Sequence, residues 1–150
     1  MAALANPQKL VATVLIALAI SACGAKSIRV AGDAMSPTLT DGQVIIGNTS
    51  AYDSASPQRG DIVLFKMKSE QIARIVGLPG ETISFPDGIV SVNGAPLREP
   101  YLAPNTQTTA PQSSYLVSTG SYFVMHDNRA KFGDSRDFGS IARSAIEGKI

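Results

Sequence analysis

One cysteine, one histidine and no tryptophan occur in the chain. Cys23 has no second thiol to join, which excludes an internal disulfide. Cys23 and His126 together fall short of the four ligands of a closed zinc site, so neither a metal nor a cofactor is expected. An excess of one charge is missing too. The 13 Lys plus Arg stand against 12 Asp plus Glu, a balance that gives no electrostatic footprint for a nucleic-acid partner. The apolar run Leu10–Ala22, thirteen residues long, falls short of the roughly 18 that argue for a membrane-spanning helix and lies nearer the core of a signal peptide. At 150 residues the chain has room for one domain with one modest core.

What is present divides the chain at about residue 25. Residues 1–25 read as a hydrophobic signal or anchor segment, with Lys9 and no acidic residue before the apolar run. Ile20-Ser21-Ala22-Cys23 resembles the bacterial lipobox, in which Cys23 would be lipidated; the other reading is an uncleaved anchor helix with an incidental cysteine. Either one makes the membrane a partner and holds the domain at its surface.

Residues 26–150 change to short β-branched runs punctuated by Gly, Pro, Asn and Asp, the pattern of a mainly β domain. Asp61–Met67 and Ile72–Val76 form one candidate strand pair, joined by the polar Lys68–Gln71. Thr82–Phe85 and Ile89–Val92 flank Pro86-Asp87-Gly88, and Asn93-Gly94 makes a second turn of the positive-φ kind. Tyr115–Val117 and Tyr122–Met125 bracket Thr119-Gly120, while Glu99–Ser114 reads as an irregular surface excursion. The expectation is a twisted, partly closed antiparallel β assembly preceded by an anchor helix.

Four ordered blocks carry the chemistry: Gly32-Asp33-Ala34-Met35-Ser36-Pro37-Thr38-Leu39, Arg59-Gly60-Asp61-Ile62-Val63-Leu64-Phe65, Gln71 to Glu81 (QIARIVGLPGE), and His126 to Gly139 (HDNRAKFGDSRDFG). Together they resemble the type I signal peptidase family, whose signatures are Gly-x-Ser-Met-x-Pro-Thr-Leu, Lys-Arg-Val-Val-Gly-Leu-Pro-Gly-Asp and Gly-Asp-Asn-Arg-x-x-Ser-x-Asp-Ser-Arg-x-x-Gly. The resemblance implies the signal peptidase fold and a Ser/Lys dyad, but Ala34 stands at the nucleophile position and Ala73 at the base position. Phe132 stands where a serine would hydrogen-bond the lysine, and His126 replaces a glycine and reads as a loop histidine. An alanine can neither attack a carbonyl nor accept a proton. Phe132 reads as a ring filling space that no longer needs a polar group.

By the same resemblance Gly32, Asp33, Met35, Pro37, Ile72 and Arg74 line a substrate cleft, while Asp127, Arg129, Asp134 and Arg136 are structural turn and ion-pair residues. No intact catalytic set remains. The function implied is an extracytoplasmic (periplasmic or lumenal) pseudopeptidase that binds extended peptide or exported-protein segments at a sheet edge. The alternative is a residually active peptidase using another nucleophile, for which Ser36, Ser135 and Cys23 are the candidates.

Overall fold

The structure is a computed structural model and describes residues 24–150. The apolar run Leu10–Ala22, expected as an anchor helix, and the lipidation candidate Cys23 lie outside the described residues. Among the described residues, no helix is long and apolar enough to cross a membrane.

In chain order the elements are β1 (Ala25–Arg29), β2 (Val44–Asn48), β3 (Ile62–Lys66), β4 (Glu70–Gly77), β5 (Thr82–Ser84), β6 (Ser91–Val92), β7 (Ala95–Pro96), β8 (Ser114–Leu116), β9 (Ser121–Met125), the one-turn helix α1 (Ser135–Phe138), β10 (Ile141–Ala142) and β11 (Ile146–Lys149). They build a seven-stranded sheet of order β1-β2-β11-β3-β4-β9-β10 and a four-stranded sheet of order β7-β6-β5-β8. Neither sheet closes, which corrects the partial closure expected from the sequence. The large sheet ends on β1 at one edge and β10 at the other, and β10, with 2 residues, is too short to carry a ladder round to β1.

β3 and the second half of β4 lie in the middle of the large sheet, where Val63, Leu64 and Phe65 and then Ile75 and Val76 put buried apolar side chains on both faces. The antiparallel register of β3 and β4 runs from Ile62 opposite Arg74 to Lys66 opposite Glu70, and Met67 N–H donates to the Ser69 carbonyl at 3.2 Å to close the turn. β4 therefore starts at Glu70, earlier than its apolar run suggests, because Glu70 and Gln71 complete the ladder with Lys66 and Phe65. On its other side β4 pairs with β9 across a bulge between Ile75 and Gly77. Gly77 is needed there for close approach: a Cβ would lie 2.8 Å from the Cβ of Phe123.

In the small sheet, the turn between β6 and β7 is Asn93 (φ 50) and Gly94 (φ 83), as a two-residue hairpin with positive φ at both positions demands. β8 and β9 are neighbours in sequence but do not pair with each other. β8 pairs with β5 and β9 with β4, so the chain crosses between sheets at Thr119-Gly120.

Three apolar clusters hold these parts together. Val63, Phe65, Ala73, Ile75, Tyr122 and Val124 pack on one face of the large sheet, and Val76, Ile83, Val90, Tyr115, Phe123 and Met125 join the two sheets. Each fully buried large side chain stabilises by about 1.5–3 kcal/mol, so truncating Phe65 to alanine should cost about 3–5 kcal/mol. The third cluster, Val30, Met35 and Leu39 packed against Ile45, Ile62 and Ile72, pins the β1–β2 connection onto the large sheet. That connection carries the site.

Candidate functional site

The β1–β2 connection is tied at its base by Val30 N–H to the Gln43 carbonyl (2.8 Å) and Gly42 N–H to the Val30 carbonyl (2.8 Å). Two internal bonds, Ser36 N–H to Asp33 and Leu39 N–H to Met35, fold it into turns. With Met35 and Leu39 buried beneath, residue 34 is left half-buried at the surface. A cleft of about 460 Å³ opens there. Its deep wall is Val30, Met35, Leu64 and His126, all buried, with Ala34, Ile72 and Phe132 completing it and Arg29, Glu70 and Gln71 at the rim.

Ala73 is fully buried in the first apolar cluster, beside Phe65, Ile75 and Val124, and does not line the cleft. Along a strand successive side chains alternate in face, so Ala73 sits behind the sheet face that Ile72 and Arg74 present to the β1–β2 connection. Ala34 thus presents a methyl group to the cleft, and Ala73, behind it, is sealed by hydrocarbon. Of the replacement nucleophiles weighed from the sequence, Ser135 is fully buried and its Oγ accepts the Val124 N–H at 2.9 Å. Ser36 lies with Pro37 in a separate depression of about 490 Å³ beside Asn128 and Ala130. Cys23 lies outside the described residues.

The loop from His126 to Asp137 forms the opposite wall. Arg74 donates to Asp127 twice, through Nε at 2.9 Å and Nη2 at 2.7 Å, and once to the Gly60 carbonyl at 2.8 Å. The Thr38 hydroxyl also donates to Asp127, so one carboxylate ties β4 to the β1–β2 connection. Burial is the largest influence and opposes the charge on Arg74, but its hydrogen bonds to Asp127 and the negative charge of Asp127 and Glu99 together outweigh it and hold its pKa above the ordinary value. Tyr101 lies under the Arg74 guanidinium at 3.8 Å, and burial together with the Glu99 carboxylate pushes the Tyr101 phenol up. Asn128 stitches the walls together, its N–H on the Ala34 carbonyl at 3.0 Å and its Nδ2 on the Asp33 carbonyl at 3.1 Å.

Asp134 and Arg136 are buried with full hydrogen bonding. Asp134 caps α1 by accepting the Arg136 N–H at 3.0 Å, accepts the His126 N–H at 2.9 Å, and pairs with the Arg136 guanidinium at 2.9 Å. Arg136 spends its remaining donors on the carbonyls of Thr109, Arg129 and Lys131. Arg129 pairs with Glu99 and donates to the His126 carbonyl at 2.9 Å.

Phe132 does not fill an interior space, contrary to the reading from sequence. It is 49% exposed, with the Arg136 guanidinium 4.7 Å from its ring centroid. The turn at Lys131–Gly133 projects the ring outward, because the interior beneath is occupied by Arg136.

The structure therefore brings Met35 and Ile72 together with Ala34 and Phe132 in one cleft. Gly32 and Asp33 are exposed on the connection beside it, Pro37 lines the neighbouring depression, and Arg74 is committed to Asp127. His126, read from sequence as a loop residue, is 7% exposed and lines the cleft. Its departure from the family's glycine was the one signal that pointed to it. Ile28, Ala31 and Leu64 also line the cleft, and nothing in their local pattern marks them.

A two-sheet antiparallel domain with these blocks around one cleft defines a signal-peptidase-type fold. Residues 5–150 match the family described as signal peptidase, peptidase S26, and the chain belongs to that family. It is 35% identical over 135 residues to signal peptidase I of Bacillus caldolyticus, covering 81% of this chain and 74% of that one. Similarity to signal peptidase I T of Bacillus subtilis is 35% identity over 153 residues, covering 94% and 79%. The crystal structure of a signal peptidase I from Enterococcus faecalis superposes with a TM-score of 0.55 at 32% identity, over 64% of this chain and 97% of that one.

Proposed function

We propose that this protein is a pseudopeptidase, tethered to a membrane with its β domain on the extracytoplasmic side, that binds extended peptide segments of exported proteins without cutting them. The observation that carries the reading is the cleft itself. It keeps apolar walls, at Met35, Leu64 and Ile72, beside the family's nucleophile position, yet holds Ala34 there and leaves Ala73 sealed in hydrocarbon. Membership of the signal peptidase family supports a peptide as the ligand, and the apolar run Leu10–Ala22 supports the tether.

Loss of a catalytic unit in a serine protease costs about a millionfold in turnover, so binding and cleavage separate cleanly in the test. The full chain in detergent or lipid is titrated into a fluorescein-labelled peptide bearing a small-residue signal site, with anisotropy reading binding, and is incubated with the corresponding precursor to read cleavage. Saturable binding without cleavage supports the reading. Specific cleavage by the native chain that scales with its concentration and survives repurification sinks it and reveals another nucleophile.

A further inference from the structure

His126 is the polar exception in the deep wall of the cleft. Its side chain is 9% exposed. Nδ1 lies 3.4 Å from the Lys131 carbonyl and 3.8 Å from Asp134 Oδ2; both are acceptors, so the proton belongs on Nδ1. Nε2 is then a bare lone pair on the other side of the ring. It has no partner among the described residues, and it is not among their sealed, unpaired polar atoms. The ring lines the cleft together with Ala34, Met35, Leu64 and Phe132. An acceptor so placed keeps only a narrow access to solvent in an otherwise apolar wall, and a ligand that brings a donor satisfies it.

Resting on the peptide-binding reading above, we propose that His126 sets the ligand preference of this cleft. It takes an extended segment whose inserted small side chain is Ser or Thr, the hydroxyl donating to Nε2, in preference to the same segment carrying Ala. The rest of the wall is apolar and selects only size. Arg29 donates to the Gly42 carbonyl and Glu70 pairs with Lys26, so two of the three rim groups are already engaged, and none of the three lies in the deep wall. A net hydrogen bond of ordinary strength corresponds to an affinity ratio of about five- to tenfold.

The test uses the full chain in detergent and fluorescein-labelled peptides with an Ala-x-Ala segment after an apolar stretch, each Ala replaced by Ser in turn. Fluorescence anisotropy gives the affinities for the native chain, His126→Gly and His126→Phe. Both variants keep the backbone N–H that donates to Asp134. One Ser peptide should bind the native chain about five- to tenfold more tightly than its Ala parent, and the ratio should fall to about one in both variants. A second readout needs no peptide. His126 is the sole histidine, so ¹⁵N NMR of the imidazole reports one ring without assignment, and the free protein should show the Nδ1–H tautomer. An Nε2–H tautomer, or binding of Ala and Ser peptides alike, overturns the proposal and leaves peptide binding standing. If no peptide binds at all, the proposed function falls and this inference with it.

Discussion

Arg74 and Asp127 meet in a two-point grip, on side chains that are 10% and 0% exposed, across the seam between β4 and the loop that walls the cleft. Removing one partner of such a pair strands a buried charge, which is worse than never having had the pair. Asp127→Asn should therefore cost about 3 kcal/mol in urea denaturation, and it also takes the acceptor from Thr38. The double change Arg74→Met/Asp127→Leu should cost less than the single one, because no charge is left unpaired. A single-variant loss well under about 1 kcal/mol would show the pair to be a spectator.

Ala73→Lys, made alone, probes the sealed position. The new side chain must enter a cluster with Val63, Phe65 and Val124, all fully buried. Overpacking costs about 1–3 kcal/mol, and a buried amine resists protonation. A loss of about 3 kcal/mol is expected at neutral pH. Because the amine's folded pKa lies below its unfolded value, the folded state binds fewer protons between the two, and stability rises with pH there. The deficit against the native chain should accordingly shrink as pH approaches about 10, in thermal melts over that range. A pH-independent deficit would mean that the amine reaches solvent.

Acid should weaken the turn that follows β4. Glu81 accepts two hydrogen bonds from Arg59, at 2.7 and 2.6 Å, and one from the Leu78 N–H at 2.7 Å. The Arg59 bonds come first in holding its carboxyl below the ordinary value of 4.5, against the opposing effect of burial. Asp61 is also lowered: burial pushes its carboxyl up, but Lys149, the Gln58 N–H and the Tyr52 hydroxyl outweigh it. A lowered folded pKa gives stability that is present above the unfolded value and lost as pH falls through the folded one. Urea midpoints should thus fall below about pH 4.5, and Glu81→Gln should be less stable at pH 7 with a shallower acid slope. An unchanged slope in Glu81→Gln would assign the acid response to Asp61 and its neighbours.

The parts of this fold legible from sequence are those written in local chemistry. The apolar runs of β3 and β4 and the positive-φ pair Asn93-Gly94 announce themselves, because strand pattern and turn geometry act over a few residues. Which strands pair across the domain does not act locally: β8 and β9 flank one turn yet belong to different sheets. Ala34 and Ala73 stand out by their place in the blocks, but their two environments, an open cleft on the β1–β2 connection and a sealed cluster behind β4, follow only from the fold. His126 escaped for the same reason, since a ring's direction is set by Asp134 and Lys131, five and more residues along the chain.

Phe132 separates stability from binding. Half its surface is open and it stacks on Arg136, a contact worth about 0.5–1 kcal/mol at an exposed site. Arg136 itself keeps Asp134 and three carbonyls without the ring. Phe132→Ala should lower stability by no more than about 1 kcal/mol. The same ring lines the cleft, and covering an exposed aromatic face with an apolar ligand gains about 25 cal/mol per Å² of area removed from water. Loss of the ring should therefore weaken peptide binding by tenfold or more, as anisotropy titration would read it, while the denaturation midpoint barely moves. A variant that binds peptide as tightly as the native chain would place the ligand elsewhere on the domain, away from the wall that Phe132 shares with Ala34.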